Sequence, residues 1–210
     1  PDTYHEGHLE LVSAFAAQAA IAVERARLTR ELLGRRNLEK ELAIARDIQQ
    51  SFLPKEAPMI PGFDLAGTAL AHDQVGGDYY DFIPASETRI GLAIADVSGK
   101  GIPAALIMAG FRMSLLAEIR NEFTIRAVMR KVNSLRYGSM EPERFVTAFS
   151  GVLDLRNRVL IYANGGHNPP LLLRANGGIE YLTEGGVALG VLPDSVYADC
   201  PVHLGPGDLI

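Results

Sequence analysis

The chain has no tryptophan, a single cysteine and few aromatic residues, which make up 7% of its 210 positions. With Cys200 alone, an internal disulfide framework is excluded, and a reducing, cytoplasmic compartment is expected. An excess of basic charge is also missing. The formal net charge is −5, so no nucleic-acid partner is indicated. No basic stretch followed by an apolar one opens the sequence, so no secretory signal is read there. No apolar run is read as long enough to cross a membrane. Internal repeats and low-complexity tracts are absent. What remains is an ordinary globular composition, 48% hydrophobic and 21% charged, enough for one cored domain with an appendage. Pro1 opens the chain, and Ile210 closes it inside an apolar phrase, Gly207-Asp208-Leu209-Ile210. Both ends read as cuts from a longer protein.

Proline and glycine are scarce in one place. Between Gly7 and Pro54 only Gly34 interrupts, and residues 8 to about 53 read as helix. Leu11, Ala14, Gln18, Ile21, Arg25, Leu28 and Leu32 recur in steps of three and four. Leu38, Leu42, Ala45, Gln49 and Phe52 continue after a register change near Gly34. This is a narrow coiled-coil-like seam with polar interruptions. It suits a solvated helix packed on its own domain or, the reading the narrow seam favours, a dimerising signalling helix. In that case Leu42→Glu is expected to uncouple regulation.

Pro54, Pro58 and Pro61 end the helix and begin an extended connector. Strands are expected over Phe63–Leu70 and Ile90–Ala95. Helices follow over Pro103–Ile119 and Phe123–Leu135. Hairpins are expected around Arg156-Asn157 and Asn176-Gly177-Gly178, and further strands begin at Val202 and Asp208. Strands, then two helices, then strands again indicate an α+β layered sandwich.

Two acidic turns carry the chemistry: Val75-Gly76-Gly77-Asp78-Tyr79-Tyr80-Asp81 and Ile94-Ala95-Asp96-Val97-Ser98-Gly99-Lys100-Gly101. Glycine lets the backbone turn sharply and approach a ligand. A carboxylate held beside it needs a cation or a donor, and two such loops side by side suit Mg²⁺ or Mn²⁺. Asp78 and Asp96 are the leading ligand candidates, with Val97 able to offer its carbonyl. Asp73 and Asp81 read as turn or solvent residues. Ser98-Gly99-Lys100-Gly101 lacks the spacing of a nucleotide phosphate loop, yet its amides can face an anion where the next helix starts. Gly99 and Lys100 are therefore candidate phosphate contacts. In Asn164-Gly165-Gly166-His167-Asn168-Pro169-Pro170, His167 suits a proton shuttle, a phosphate donor, a ligand or a structural turn residue, and Asn168 is a candidate beside it. Gly185–Gly190 reads as a packing loop.

These segments together resemble the SpoIIE/RsbU-like branch of the PPM-type, metal-dependent serine/threonine phosphatases. Ala43 to Pro54 (AIARDIQQSFLP) is similar to that family's entry helix. The two acidic turns, Gly165-Gly166-His167-Asn168-Pro169-Pro170 and Gly190-Val191-Leu192 follow in the family's order. The likeness covers about residues 43–210. Phe15 to Ala26 (FAAQAAIAVERA) resembles the closing helix of a GAF sensor domain. The domain reading is thus residues 1–33 as the end of a GAF-like sensor and signalling helix, 34–60 as linker helix and connector, and 61–210 as a phosphatase domain incomplete at its C-terminus.

The resemblance implies a β-sandwich flanked by helices with a two-metal Mn²⁺ or Mg²⁺ centre between the sheets. Asp96 matches the carboxylate bridging both metals, Val97 the residue giving a backbone carbonyl, and Asp78 the first acidic ligand. The implied reaction is attack of metal-activated water on phosphoserine or phosphothreonine without a phosphoenzyme. The implied substrates are phosphorylated anti-sigma-factor antagonists of the STAS fold. Eukaryotic-type members carry a His just after the bridging Asp, where this chain has Val97-Ser98-Gly99, so that acid is lacking. The family also continues past a Gly-Asp-x-Leu/Ile phrase to further carboxylates. At least two ligands are therefore expected beyond Ile210, and residues 1–210 alone are expected to bind metal poorly and turn over little. A non-catalytic PPM-like protein-binding module is the alternative, which the intact Asp78 and Asp96 disfavour. A nucleotide cyclase would need further acids and a nucleotide pocket that the sequence does not offer.

Overall fold

Free of proline, the first long segment forms one helix, α1 (Glu6–Gln50), continuous through Gly34. Its ends lie two or three residues from those expected. The computed structural model describes residues 6–70, 74–121, 124–138 and 143–210. They fall into two compact units, Pro1–Ala45 and Arg46–Ile210. In the first unit the helix buries no residue, and Glu24 and Arg27 pair on its surface at 2.8 Å.

The second unit begins with the last turn of α1. It continues with β1 (Tyr79–Ser86), β2 (Arg89–Val97), α2 (Gly101–Asn121), α3 (Ile125–Tyr137), β3 (Val146–Asp154), β4 (Val159–Gly165), β5 (Leu171–Leu173), β6 (Ile179–Tyr181), β7 (Gly185–Gly186) and β8 (Cys200–His203). Strands, two helices and strands again give the expected α+β architecture. One sheet runs β1-β2-β3-β4, antiparallel throughout, and the far edge of β4 is shared by β7 and β8. β5 and β6 pair as a second, two-stranded sheet.

The two-residue period of a strand divides β2 between two cores. Ala93, Ala95 and Val97 point to the helices, where they meet Ala104, Met108, Phe111, Leu115 and Ile119 of α2 and Val128, Met129 and Val132 of α3. The α2 residues recur in steps of three and four, so they form one buried stripe. On the other face Ile90 joins Phe149, Leu153, Leu160 and Tyr162 against Leu172 and Leu182 of the second sheet and its flank. Asp96 belongs to this second face. Contrary to the sequence reading, Gly101–Arg120 in α2 is long and apolar enough to cross a membrane by length and composition. Its stripe is instead buried in the core.

Two further expectations are corrected. Residues 64–70 form no strand; Phe63 makes an isolated bridge with Ile60 across a turn at Gly62. Phe63 and Leu65 pack on the second core, but among the described residues no strand pairs with 64–70, and the Gly67 carbonyl accepts from the Tyr80 hydroxyl at 3.0 Å. At the chain's end only Leu209 pairs, bridging Leu173 of β5. The following Arg174 binds Glu180 at 2.6 Å and Asp208 at 2.9 Å, which ties that phrase to the second sheet. Phe123, expected to start α3, lies outside the described residues. The Gly190-Val191-Leu192 motif has a packing explanation. Buried Asn133 of α3 accepts from the Gly190 amide at 2.8 Å and donates to the Leu192 and Pro193 carbonyls.

Candidate functional site

Strand register brings the two acidic turns together. Tyr79 pairs with Ala95 across β1 and β2, so the next position places Asp78 opposite Asp96. The Asp78 carboxyl lies close enough to act electrostatically on that of Asp96. On the other side of β2, Asp96 pairs with Thr147 of β3. The Thr147 hydroxyl lies 2.9 Å from Nδ1 of His167 and 3.3 Å from the Asp96 carbonyl oxygen. Asp78, Asp96, Thr147 and His167 thus form a row across one end of the sheet. A hydroxyl has one hydrogen. If Thr147 donates it to the Asp96 carbonyl, His167 carries its proton on Nδ1 and leaves Nε2 bare.

Electrostatics mark this row as unbalanced. Burial and the neighbouring Asp78 charge push the Asp96 carboxyl above its ordinary value. Burial pulls His167 below the usual imidazole value, and the charges of Asp96 and Asp78 only partly oppose it. His167 is therefore neutral at physiological pH and does not compensate the two carboxylates. A divalent cation would.

Local geometry explains why these residues take these places. The Gly76-Gly77 pair lets the turn lie against β2, where a Cβ on Gly77 would meet the Val97 carbonyl oxygen at 2.8 Å. That atom is backbone and cannot yield cheaply. Gly77→Ala is therefore expected to cost about 1–3 kcal/mol of stability, read as a lower denaturant midpoint, and to displace Asp78. After β2, Ser98 still pairs with Phe145 at 2.9 Å through both backbone and hydroxyl. Gly99 then adopts φ +97°, which favours glycine, and turns the chain into α2. The turn that carries His167 is held by buried Asn164. Its side chain accepts from the His167 amide at 2.7 Å and donates to the His167 carbonyl at 2.9 Å.

A cavity of about 340 Å³ opens over the acidic pair. Asp78, Asp96, Gly76 and Gly77 line it together with Gly99, Lys100 and, from the last turn of α1, Arg46 and Gln49. A second cavity, of about 580 Å³, lies by Glu118 and Lys131, which already pair at 3.2 Å.

A family model, Stage II sporulation protein E (SpoIIE), matches residues 86–210. The chain belongs to the SpoIIE family. It is 30% identical over 174 residues to phosphoserine phosphatase RsbU of Bacillus subtilis (strain 168), an alignment covering 82% of this chain and 52% of RsbU. It is 29% identical over 151 residues to phosphoserine phosphatase RsbP of the same organism, covering 70% of this chain and 37% of RsbP. The chain thus spans about half or less of these relatives. Among solved structures, the SiaA-PP2C domain of Pseudomonas aeruginosa shares the fold with a TM-score of 0.65 at 20% identity, over 83% of this chain and 70% of that one. The α+β architecture is that of a PP2C phosphatase domain.

Within this SpoIIE-family fold, Asp78, Asp96, Gly99 and Lys100 line one cavity. His167 stands beside the acidic pair, on Thr147. Asn168 is exposed and does not line the cavity. Asp81 is neither a turn nor a solvent residue. It shares the helix-facing side of β1 with Tyr79, accepts the Tyr79 hydroxyl at 2.7 Å and lies 3.7 Å from Arg112. Asp73 lies outside the described residues. Among the described residues, no group of three or more His, Cys, Asp and Glu is arranged to hold a metal. Val97 does not line the cavity, and its carbonyl oxygen faces Gly77 of the adjoining turn; the two unfavourably placed carboxylates fit part of the oxygen shell of Mg²⁺ or Mn²⁺. Arg46, Gln49 and Thr147 were missed by sequence reasoning. The first two lie in the entry-helix segment that carries the family resemblance, and Thr147 becomes visible once β2 and β3 are in register.

Proposed function

We propose that the full-length protein is a metal-dependent phosphoserine/phosphothreonine protein phosphatase. One observation carries the reading: Asp78 and Asp96 face each other on the wall of a cavity whose remaining charged groups, Lys100 and Arg46, are cationic. Asp78 and Asp96 would hold Mg²⁺ or Mn²⁺, with Asp96 serving both ions of a two-metal centre. When bound, the ions supply an activated water and neutralise developing charge on the phosphoryl oxygens. Lys100 and Arg46 attract the phosphate dianion, and the amides of the Gly99 turn offer donors where α2 begins. His167, neutral and bonded to Thr147, orients groups beside the site without adding charge. The similarity to two phosphoserine phosphatases supports the reaction class. The test is Mn²⁺-dependent phosphate release from phosphoserine peptide by the full-length chain, wild type against Asp96→Asn; equal rates would exclude this assignment.

The proposed substrate is a phosphorylated STAS-type regulator of the anti-sigma-factor-antagonist kind. Residues 1–33, most of them within α1, are proposed as the end of a GAF-like sensor and signalling helix, and residues 34–60 as the linker helix and connector that lead to the catalytic unit. The helix is also the proposed homodimer contact. Leu11, Ile21, Leu28, Leu32 and Leu38 each remain about half exposed along its seam, an apolar stripe that a second copy would cover. Leu28→Glu places like charges in one layer of that seam. It is expected to weaken dimerisation about a hundredfold or more, read as a monomer mass by light scattering.

A further inference from the structure

Gln49 makes a two-point contact with the backbone of the first acidic turn. Its Nε2 donates to the Gly76 carbonyl at 2.6 Å, and its Oε1 accepts from the Gly76 amide at 3.0 Å. The partners fix the orientation of the side-chain amide, since oxygen must face the N–H and nitrogen the carbonyl. Gly76 precedes β1, so no strand ladder holds it. One side chain, 27 residues upstream, satisfies both of its backbone groups.

We infer that Gln49 is a positioning residue for Asp78, holding the Gly76–Asp78 turn against β2. The catalytic meaning of this contact rests on the phosphatase reading; the contact itself does not. Two consecutive glycines leave the turn more conformational freedom than any other residue pair, and freedom there is freedom for the Asp78 carboxylate. The turn is gripped on two sides: Val97 backs Gly77, and Gln49 holds Gly76. The residues just after Gln49 are themselves fastened. Phe52 and Leu53 pack on the helix-side core. The Phe52 carbonyl accepts from Arg112 Nε at 3.0 Å, and the Arg112 guanidinium lies 5.4 Å from the Phe52 ring centroid. Gln49 therefore passes the rigidity of the core to a turn that no strand ladder holds.

Two measurements on the full-length chain test this. In metal-free protein, Gln49→Leu is expected to speed amide hydrogen exchange at Gly76 about tenfold, the factor that two ordinary hydrogen bonds support, while β3 amides keep their protection. Gln49→Glu retains the acceptor for the Gly76 amide and nearly the same volume, so its exchange rate should fall between wild type and Gln49→Leu. A packing role alone would leave Leu like the wild type. In calorimetric titration with Mn²⁺, Gln49→Leu should weaken binding about tenfold in a protein whose thermal midpoint is little changed. Wild-type exchange at Gly76 in both variants, or faster exchange with wild-type Mn²⁺ affinity, would overturn the inference. A wild-type protein that binds no Mn²⁺ would instead sink the phosphatase reading, and the positioning of the turn would be decided by exchange alone.

Discussion

Asp96→Asn in the full-length protein is expected, on the proposed phosphatase reading, to lower metal-dependent phosphate release by about 10³-fold, the equivalent of several kcal/mol of lost charge stabilisation, and at the same time to raise the melting temperature of the metal-free protein. The two effects have one cause. Burial and Asp78 hold the Asp96 carboxyl above its ordinary value, so its ionised form is disfavoured in the fold. That cost is absent below the unfolded carboxyl value, near pH 3.9, and is fully present once pH exceeds the raised folded value. At pH 7 the neutral amide removes it; near pH 3 it removes nothing. The Asp96 carboxyl is only partly desolvated and the residue as a whole is exposed, so water screens the effect, and a gain on the order of 1–2 °C at pH 7 is expected. A differential scanning measurement at the two pH values separates this from a structural role. An Asp that merely capped a turn would lower the melting temperature when replaced, at pH 7 most of all. Lost activity with raised stability is the signature of a carboxylate kept for a cation.

Much of the scaffold around this site was legible from local pattern. The helix without proline, the apolar run Ile90–Ala95 and the hairpins at Arg156-Asn157 and Asn176–Gly178 rest on interactions between residues close in sequence. Asp78 and Asp96 were legible because glycines beside an acid are a local signal. What escaped depends on long-range pairing. Asp81 is three residues from Asp78, but its place on the helix-facing side of β1 follows from strand alternation, and its partner Arg112 comes from α2. The Gln49–Gly76 contact and the Thr147–His167 contact join residues 27 and 20 positions apart, and no periodicity announces either. Phe63–Leu70 reads as a strand, yet among the described residues it gains only the isolated Ile60–Phe63 bridge, and the Gly67 carbonyl accepts from the Tyr80 side chain instead of from a ladder partner. A strand needs a partner edge, and sequence pattern alone cannot supply one.

The largest stability effect is expected at Phe111, which is 0% exposed in the helix-side core. Its ring meets Tyr79 edge-on, with centroids 5.9 Å apart at 81°. Phe111→Ala is expected to cost about 3–5 kcal/mol, a large part of the roughly 5–15 kcal/mol that holds a domain together. The check is a lower denaturant midpoint with little change in slope. Function should suffer as well, because the void opens directly under Tyr79. That residue follows Asp78 in the chain, and its hydroxyl is anchored on Asp81 at 2.7 Å. A second substitution makes the result decisive. Leu106 lies on the opposite side of α2 and is 69% exposed, so Leu106→Ala should change stability by less than about 0.5 kcal/mol. By composition α2 is apolar enough to serve a bilayer, and a helix surrounded by lipid would lose comparable packing at either position. A large loss at Phe111 beside a negligible one at Leu106 is what a helix with one buried stripe must give, and it assigns the hydrophobicity of α2 to the core that holds Asp78 in place.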